Sequence, residues 1–224
     1  MDWQALGLSV RLAAIVSALL LAISLPLAYW LTFSRRRWTF LIESIVSLPL
    51  VLPPTVLGFY LLLTLGSQGA IGRWWHAWTG QALAFTFESL VIASVFYSLP
   101  FAVQPIAAAF AQVDRTLLEA SATLGASAPR TFARVVLPLS LEGVIAGVVL
   151  SFAHTIGEFG VVLMVGGNLP GVTRTVSIAI YDHVQALEYG DANATAFVLL
   201  VFSFVVLMSV YGLRRKPWAA APLT

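Results

Sequence analysis

The amino-acid sequence predicts an all-α membrane protein with about five transmembrane helices, and composition is the first reason. Of the 224 residues, 59% are hydrophobic and 10% are charged, and the mean hydropathy is +0.91. Soluble domains carry about 25% charged residues, so this chain is too apolar to cover a water-facing surface. Its apolar runs are long and do not alternate with polar residues, which favours helices over the strands of a membrane barrel.

Five segments are each long enough for a membrane-spanning helix, which needs about 20 mostly apolar residues. They lie at about 8–33, 43–66, 83–105, 136–166 and 192–213. Glycines interrupt the end of the fourth segment, and the Gly/Pro-containing stretch 166–171 predicts a turn. Gly143 and Gly147, in the same segment, are spaced for close helix packing. The sequence shows no internal repeat and no second domain, so residues 1–224 are predicted to form one transmembrane domain.

The basic residues predict the orientation of the chain, because cytoplasmic loops of membrane proteins are rich in lysine and arginine. With five spans, nine of the twelve basic residues fall on one side of the membrane. These nine are Arg35, Arg36, Arg37, Arg115, Arg130, Arg134, Arg214, Arg215 and Lys216. The three on the other side are Arg11, Arg73 and Arg174. We therefore expect the N-terminus outside and the C-terminus in the cytoplasm, with Trp74, Trp75 and Trp78 as anchors at the outer surface.

Prolines lie inside two of the predicted spans, and those of the second are expected to break or kink it. Pro49, Pro53 and Pro54 lie in the second, and Pro100 and Pro105 lie in the third. A proline inside a helix removes a backbone hydrogen bond, and the freed carbonyl must face protein or a water-filled cavity within the membrane. These helices are therefore predicted to line a pathway. The other interpretation is that proline is simply frequent in membrane helices.

The sequence lacks the motifs of common enzymes and metal sites. It has no cysteine, and its three histidines are far apart in sequence with no ligand-spaced neighbours, so no metal site is predicted. The Gly-Lys-Ser/Thr ending of a phosphate-binding loop is missing, as are the Gly-x-Ser-x-Gly and His-Glu-x-x-His motifs. We therefore predict no catalytic residue and no ATP bound by this chain. A net charge of +2 is too small to suggest nucleic acid.

Two ionisable residues of the fourth span stand out, because such residues are rare inside a membrane. His154 and Glu158 are four residues apart, which would place them on one face of a continuous helix. A proton relay would need more aligned groups of this kind. The alternative is that the pair joins two helices or caps a backbone end.

The longest polar stretch lies between the third and fourth spans, at about 112–135. A motif at 119–138, with the sequence EASATLGASAPRTFARVVLP, overlaps it. It resembles the EAA loop of ABC importer permeases, which is Glu-Ala-Ala, three residues, Gly, nine residues, an aliphatic residue, any residue and Leu-Pro. The matching residues are Glu119, Ala120, Ser121, Gly125, Val135, Leu137 and Pro138. Ser121 replaces the usual second alanine, and Val135 replaces the usual isoleucine.

Further segments narrow the resemblance. Residues 48–58, LPLVLPPTVLG, resemble the second-span motif of molybdate permeases. Residues 151–160, SFAHTIGEFG, resemble a stretch shared by permeases for molybdate, tungstate and sulfate, although His154 stands where arginine is usual. The chain thus resembles type I ABC importer permeases of the molybdate/tungstate family, which are related to sulfate permeases. The five-span form and paired prolines favour molybdate, and sulfate or another oxyanion stays open.

This resemblance implies the type I importer fold and a larger assembly in the cytoplasmic (inner) membrane of a prokaryote. Two copies of the chain would form a homodimer, surrounded by lipid, with the pathway at their interface. An external binding protein would deliver the oxyanion, and two separate ATPase subunits would use ATP and Mg. The chain itself would bind no cofactor and no nucleic acid.

The resemblance also suggests roles for residues. In the loop, Gly125 would allow a tight turn or a close backbone approach, and Glu119 would cap a helix or pair with an ATPase cation. Arg130 and Arg134 would pair with ATPase carboxylates, or would only reflect the positive-inside rule. Pathway or gate candidates are Pro49, Pro53, Pro54, Gly157, Glu158 and Gly160. A carboxylate would repel an oxyanion, so we expect that Glu158 does not bind the substrate.

Two other classes of protein compete with this interpretation. An ATP-independent secondary transporter would need paired inverted repeats with ionisable groups at the midplane, and the five spans are unlike one another. A structural subunit without a pathway would have no need of proline-broken helices.

Overall fold

The structure of the protein is a computed structural model that describes residues 2–34 and 36–213. Within these ranges the chain forms helices joined by turns and loops, with no strand, which confirms the all-α class. The helices are α1 Trp3–Phe33, α2 Thr39–Val51, α3 Pro54–Leu65, α4 Ala70–Thr79, α5 Phe87–Ala111, α6 Arg115–Thr123, α7 Ala128–Thr131, α8 Leu137–Leu139, α9 Leu141–Gly157, α10 Gly160–Gly166, α11 Val176–Gln185 and α12 Tyr189–Leu213. Four basic residues used above for orientation lie outside the described residues: Arg35, Arg214, Arg215 and Lys216.

Three helices, α1, α5 and α12, are individually long and apolar enough to cross a membrane. Counting each of two bent helix pairs as one span gives up to five among the described residues. The first span begins five residues earlier than predicted because Asp2 caps it: the Asp2 carboxylate accepts a hydrogen bond from the Ala5 N–H at 2.9 Å.

The predicted second span is a pair of helices, α2 and α3, and the chain bends by 113° between them. Pro53 is extended, with ψ 135°, as expected for a residue that precedes a proline. Pro54 begins α3, where a missing N–H leaves no bond unmade. Pro49 lies within α2. The paired prolines thus fold the span back on itself.

The predicted fourth span is also divided. A bend of 75° separates α7 and α8 from α9, and a second break separates α9 from α10 at residues 158–159. Glu158 is extended there, with φ −65° and ψ 133°. The glycines noted in the sequence, Gly157 and Gly160, flank this second break.

Helices α1, α5 and α9 form the centre of the molecule. The α9 backbone lies directly against α5, because a Cβ atom added at Gly143 would be 2.3 Å from Ala109 Cβ. One added at Gly147 would be 2.9 Å from the carbonyl oxygen of Ala102. The two glycines therefore make the close packing for which they are spaced.

The segment between the second and third predicted spans contains a helix, α4, that sequence analysis did not predict. Trp74 and Trp78 stack on each other with ring centroids 5.8 Å apart, and both are exposed. Trp75 instead packs against a buried cluster that includes Leu65 and Leu83. An exposed tryptophan pair of this kind fits a membrane–water interface.

Candidate functional site

The polar loop, residues 112–138, begins with a capped helix. The Asp114 carboxylate accepts a hydrogen bond from the Thr116 N–H at 2.9 Å, which satisfies a free donor at the start of α6. This bond stabilises the ionised form and lowers the pKa of Asp114 below its ordinary value. The start of α6 is therefore specified by its own sequence.

Gly125 ends α6 in a Schellman motif. Its N–H donates to the carbonyl of Ala122 at 2.9 Å, and the N–H of Ala126 donates to the carbonyl of Ser121 at 3.0 Å. Gly125 has φ +74°, a backbone conformation that glycine adopts without strain. A Cβ atom here would meet nothing within 4 Å. Of the two roles suggested from sequence, the structure thus shows the tight turn and no close approach.

Ser121 connects the two short helices of the polar loop. Its hydroxyl oxygen is 2.8 Å from the hydroxyl oxygen of Thr131 in α7. From the sequence, Ser121 is only a mild departure from the usual alanine. The structure gives its hydroxyl a partner ten residues away, which no local signal indicates.

No other described residue covers the solvent-facing side of α6. None of its residues is buried, Glu119 and Ala120 are exposed, and the leucine that follows the helix, Leu124, is 87% exposed. Arg130 and Arg134 are also exposed, and neither forms an ion pair within the described part of the chain. Apolar and basic groups are thus available together for contact with another protein.

Beyond α7 the polar loop is anchored to the helix core. Residues 132–136 form a π-helical turn, in which the Leu137 N–H donates to the carbonyl of Phe132. Pro138 follows in the first turn of α8. The Phe132 ring packs edge-to-face against Tyr29 of α1 and Phe110 of α5, at centroid distances of 5.3 and 5.9 Å. Val135 and Leu137, in this turn and at its end, are half-buried.

Sequence analysis did not single out Phe132, because an aromatic residue within a polar loop gives no local sign of its partners. Its ring is one of the points where the polar loop meets two long helices.

The two broken spans meet at their breaks. A Cβ atom on Gly160 would lie 2.8 Å from Pro54 Cβ, and one on Gly58 would lie 2.8 Å from Met164 Cβ. Two of the pathway candidates, Pro54 and Gly160, are therefore in contact. Pro53 and Gly157 are exposed instead, so the structure does not bring all the candidates together.

Glu158 is enclosed between helices. Only 3% of its surface is exposed, and neither carboxylate oxygen makes a well-formed hydrogen bond within the described residues. Ser94 interacts with the carboxylate at less favourable geometry. Because α9 ends at Gly157, Glu158 departs from the continuous helix that its spacing from His154 suggested.

His154 takes part in a separate cluster between α9 and α5. Its Nδ1 atom is 2.9 Å from Ser98 Oγ, and its ring stacks on Phe101 at a centroid distance of 3.8 Å. Tyr97 lies against the ring at 4.8 Å. The imidazole is therefore held in one orientation.

A cavity of about 490 Å³ opens beside α5. Its lining residues come from α1, α2 and α5 and include Thr32, Glu43, Ser47 and Gln104. The Gln104 side-chain amide donates to Ser47 Oγ at 3.2 Å. Polar and ionisable side chains inside a membrane protein mark water-filled space rather than contact with lipid.

A second polar group lies near the start of α12. The possible ligand atoms of His183, Glu188 and Asp191 are all within 4.8 Å of one another, a grouping that sequence analysis did not expect. His183 Nδ1 is 2.8 Å from Glu188 Oε2, so these two side chains already satisfy each other. Glu188 and Asp191 are exposed, and such groups are common without a metal.

Comparisons with known proteins agree on one family. The sequence profile of the "Binding-protein-dependent transport system inner membrane component" family matches residues 11–217. The chain is 50% identical over 214 residues to the molybdenum transport system permease protein ModB of Azotobacter vinelandii, covering 96% of this chain and 95% of that protein. It is 37% identical over 223 residues to the ModB protein of Escherichia coli K12, covering 98% and 93%.

Solved structures share the fold at low sequence identity. A bacterial ABC transporter that imports the acidic polysaccharide alginate matches with a TM-score of 0.74 and 17% identity, over 95% of this chain and 78% of that chain. An amino acid ABC transporter matches with a TM-score of 0.61 and 16% identity, over 95% and 92%.

Proposed function

Because the chain belongs to the family of inner membrane components of binding-protein-dependent transport systems, we propose that it is the permease subunit of an ATP-driven molybdate importer. The observation that supports molybdate as the substrate is 50% sequence identity, over nearly the full length of both chains, to a molybdenum permease. The motifs at 48–58 and 151–160 point to the same oxyanion class. Tungstate has the same tetrahedral shape and charge, and belongs to the same proposal.

The proposed assembly has two copies of this chain, two ATPase subunits and an external binding protein. ATP and Mg belong to the ATPase, and this chain is a non-catalytic subunit. A binding protein is part of the family's description, and the alginate transporter has been solved with its periplasmic protein. The N-terminus lies outside and the C-terminus in the cytoplasm, as the basic residues favour.

The polar loop is the proposed contact with the ATPase. Support comes from the uncovered α6 surface, the exposed Leu124, and the two arginines, Arg130 and Arg134, that have no ion-pair partner among the described residues. An apolar centre with charged neighbours is a typical docking surface. Glu119, exposed on α6, contributes an acceptor for a cation of the ATPase.

Movement of the docked loop reaches the membrane helices through Phe132. Its edge-to-face contacts with Tyr29 and Phe110 join the polar loop to α1 and α5. ATP-driven closure of the ATPase pair would then rotate these helices as a rigid body and turn the pathway outward. The broken second and fourth spans, in contact at Pro54 and Gly160, lie in the part that rearranges.

The test is ATP hydrolysis by the complete complex in liposomes. The complex receives binding protein loaded with molybdate, tungstate or sulfate, and we expect stimulation by molybdate and tungstate. Stimulation by sulfate alone would preserve the mechanism and overturn the substrate. If none of the three anions stimulated ATP hydrolysis, the result would contradict the ABC importer proposal and favour a secondary transporter.

Gly125→Arg tests the docking surface. It places a bulky cation on the proposed contact, and we expect the variant to lose co-purification of the ATPase. Gly80→Arg is the matched control, because Gly80 also has a positive φ, +72°, and open space around it, at the end of α4. Loss of the ATPase in both variants, or in neither, would contradict the assignment of the polar loop.

A further inference from the structure

A chain of hydrogen bonds fixes the protonation of one nitrogen of His154. The Thr155 hydroxyl donates to the Ser151 carbonyl at 2.8 Å, since a carbonyl can only accept. Thr155 Oγ1 is also 3.0 Å from Ser98 Oγ, and its one hydrogen is already used, so Ser98 donates this bond. Ser98 must then accept from His154 Nδ1, at 2.9 Å. Nδ1 therefore carries a hydrogen.

The other ring nitrogen, Nε2, remains available. It makes no hydrogen bond to a described residue, and the His154 side chain is only half-buried. The ring cannot turn freely, because Phe101 stacks on it and Ser98 holds Nδ1. Two titratable groups lie near this ring, Tyr97 on α5 and Glu158 just beyond α9.

His154 borders the open side of α5. Phe101, which stacks on His154, lies three residues before Gln104, so both are on the same side of the helix. Gln104 is exposed and lines the 490 Å³ cavity together with Ser47 and Glu43. The Phe101 ring on which the imidazole stacks therefore lies on the cavity side of α5.

Glu158 has the opposite placement. Its carboxylate is enclosed next to Ser94, one helical turn from Ser98. Near the break, the basic His154 side chain is therefore half-buried, whereas the acidic Glu158 side chain is fully enclosed. An anion that approaches from the cavity side of α5 would meet the half-buried His154 rather than the enclosed Glu158 carboxylate.

From these observations, and resting on the proposed function, we propose that His154 contacts the transported tetrahedral oxyanion through Nε2. Because Nδ1 keeps its hydrogen for Ser98, Nε2 donates to the anion when the ring holds a second proton. The negative charge of the approaching anion favours this second proton, which the ring takes up from the aqueous solution and returns to it as the anion leaves. A hydrogen bond between a charged donor and an anion is about twice as strong as a neutral one.

Two substitutions of His154 test the contributions of Nδ1 and Nε2 separately. In His154→Asn the amide nitrogen takes the place of Nδ1, which keeps the Ser98 contact and removes the donor towards the cavity. In His154→Gln the amide nitrogen reaches the place of Nε2 and can still donate to an anion. His76→Asn is the control, because His76 is an exposed histidine of a different helix, α4.

The experiment measures uptake of radiolabelled molybdate by the complete complex in liposomes. We expect His154→Asn to reduce the maximal uptake rate about tenfold relative to His154→Gln, as loss of one charge-assisted hydrogen bond predicts. The concentration of loaded binding protein at half-maximal rate should stay unchanged, as should ATP hydrolysis without binding protein. His76→Asn should transport like the unmodified chain.

Equal rates for the asparagine and glutamine variants, whether both are high or both are low, would overturn the proposal and leave His154 as a helix-joining residue. A larger loss in the glutamine variant would also overturn it, because the Ser98 contact would then be the important one. Absence of molybdate uptake by the unmodified complex would instead contradict the proposed function, so the two failures are distinguishable.

Discussion

The polar loop and the break between α9 and α10 are built in different ways. The first part of the polar loop, residues 114–126, depends on partners close in sequence, such as the Asp114 cap and the Gly125 turn. The break depends on partners far apart in sequence, such as Ser98 with His154 and Pro54 with Gly160. Local structure leaves the surface of the polar loop free for a partner, whereas the packed break can change only when whole helices move. The difference predicts that equal substitutions have unequal effects in the two regions.

The largest effect is expected at Phe132, where the polar loop joins the core. Phe132→Ala removes the ring contacts with Tyr29 and Phe110, and aromatic pairs of this kind contribute about 0.5–1.5 kcal/mol each beyond the area they bury. We expect the ATPase to remain docked and to hydrolyse ATP, while molybdate uptake per ATP falls at least about fivefold, since the two lost pairs together contribute at least about 1 kcal/mol. The ratio of uptake to hydrolysis measures this effect.

Phe197→Ala is the control for Phe132, because Phe197 is a 62% exposed phenylalanine of α12. An unchanged uptake-to-hydrolysis ratio in Phe132→Ala would show that the polar loop moves α1 and α5 by another route.

Gly160→Ala and Gly157→Ala compare two glycines of the break. The added methyl group at Gly160 would lie 2.8 Å from Pro54 Cβ, whereas at Gly157 it would meet nothing within 4 Å. Overpacking of this kind costs about 1–3 kcal/mol, so Gly160→Ala should lower the thermal unfolding midpoint of the purified complex. Gly157→Ala should leave the midpoint nearly unchanged. Equal midpoints for the two variants would mean that the broken spans do not pack tightly at this point.

Gly125→Ala tests the polar loop with the same substitution. The methyl group has space, and the cost is the left-handed backbone conformation, about 1–2 kcal/mol for a residue with a Cβ atom. This cost should appear as weaker binding of the ATPase subunit, with the unfolding midpoint of the membrane helices unchanged. Gly125→Asn should recover part of the binding, because asparagine tolerates this conformation. If asparagine were no better than alanine, backbone strain would not be the cause.

The sequence was sufficient for features that short-range chemistry determines. Gly125 could be identified as a turn residue, because this role follows from the residue's own backbone. The five apolar segments were visible for the same reason. Ser121 shows the limit of prediction from sequence. Its hydrogen-bond partner, Thr131, lies across a turn, so the role of the Ser121 hydroxyl could not be predicted before that turn was known.

The break could be located from sequence but not described. Gly157, Gly160 and the paired prolines indicate interrupted helices, and both interruptions are present in the structure. The 113° angle of the second span and the contact between Pro54 and Gly160 depend on packing between distant segments. The separation of His154 from Glu158 has the same origin, since each faces a different serine of α5.

The smallest effect is expected at the Asp114 cap, and it depends on pH. The pKa of Asp114 is lowered in the folded protein, so the cap contributes stability above the ordinary pKa of aspartate, about 4, and loses it as the pH falls through the lowered value. Hydrogen exchange at the Thr116 amide, corrected for its intrinsic pH dependence, should show less protection at about pH 3 than at about pH 6. The control is Asp114→Asn, because an asparagine side chain also caps a helix but does not titrate, so protection in this variant should be the same at both values. Equal pH dependence in the two proteins would mean that the Asp114 carboxylate does not hold the start of α6, and that the polar loop is less locally determined than its hydrogen bonds indicate.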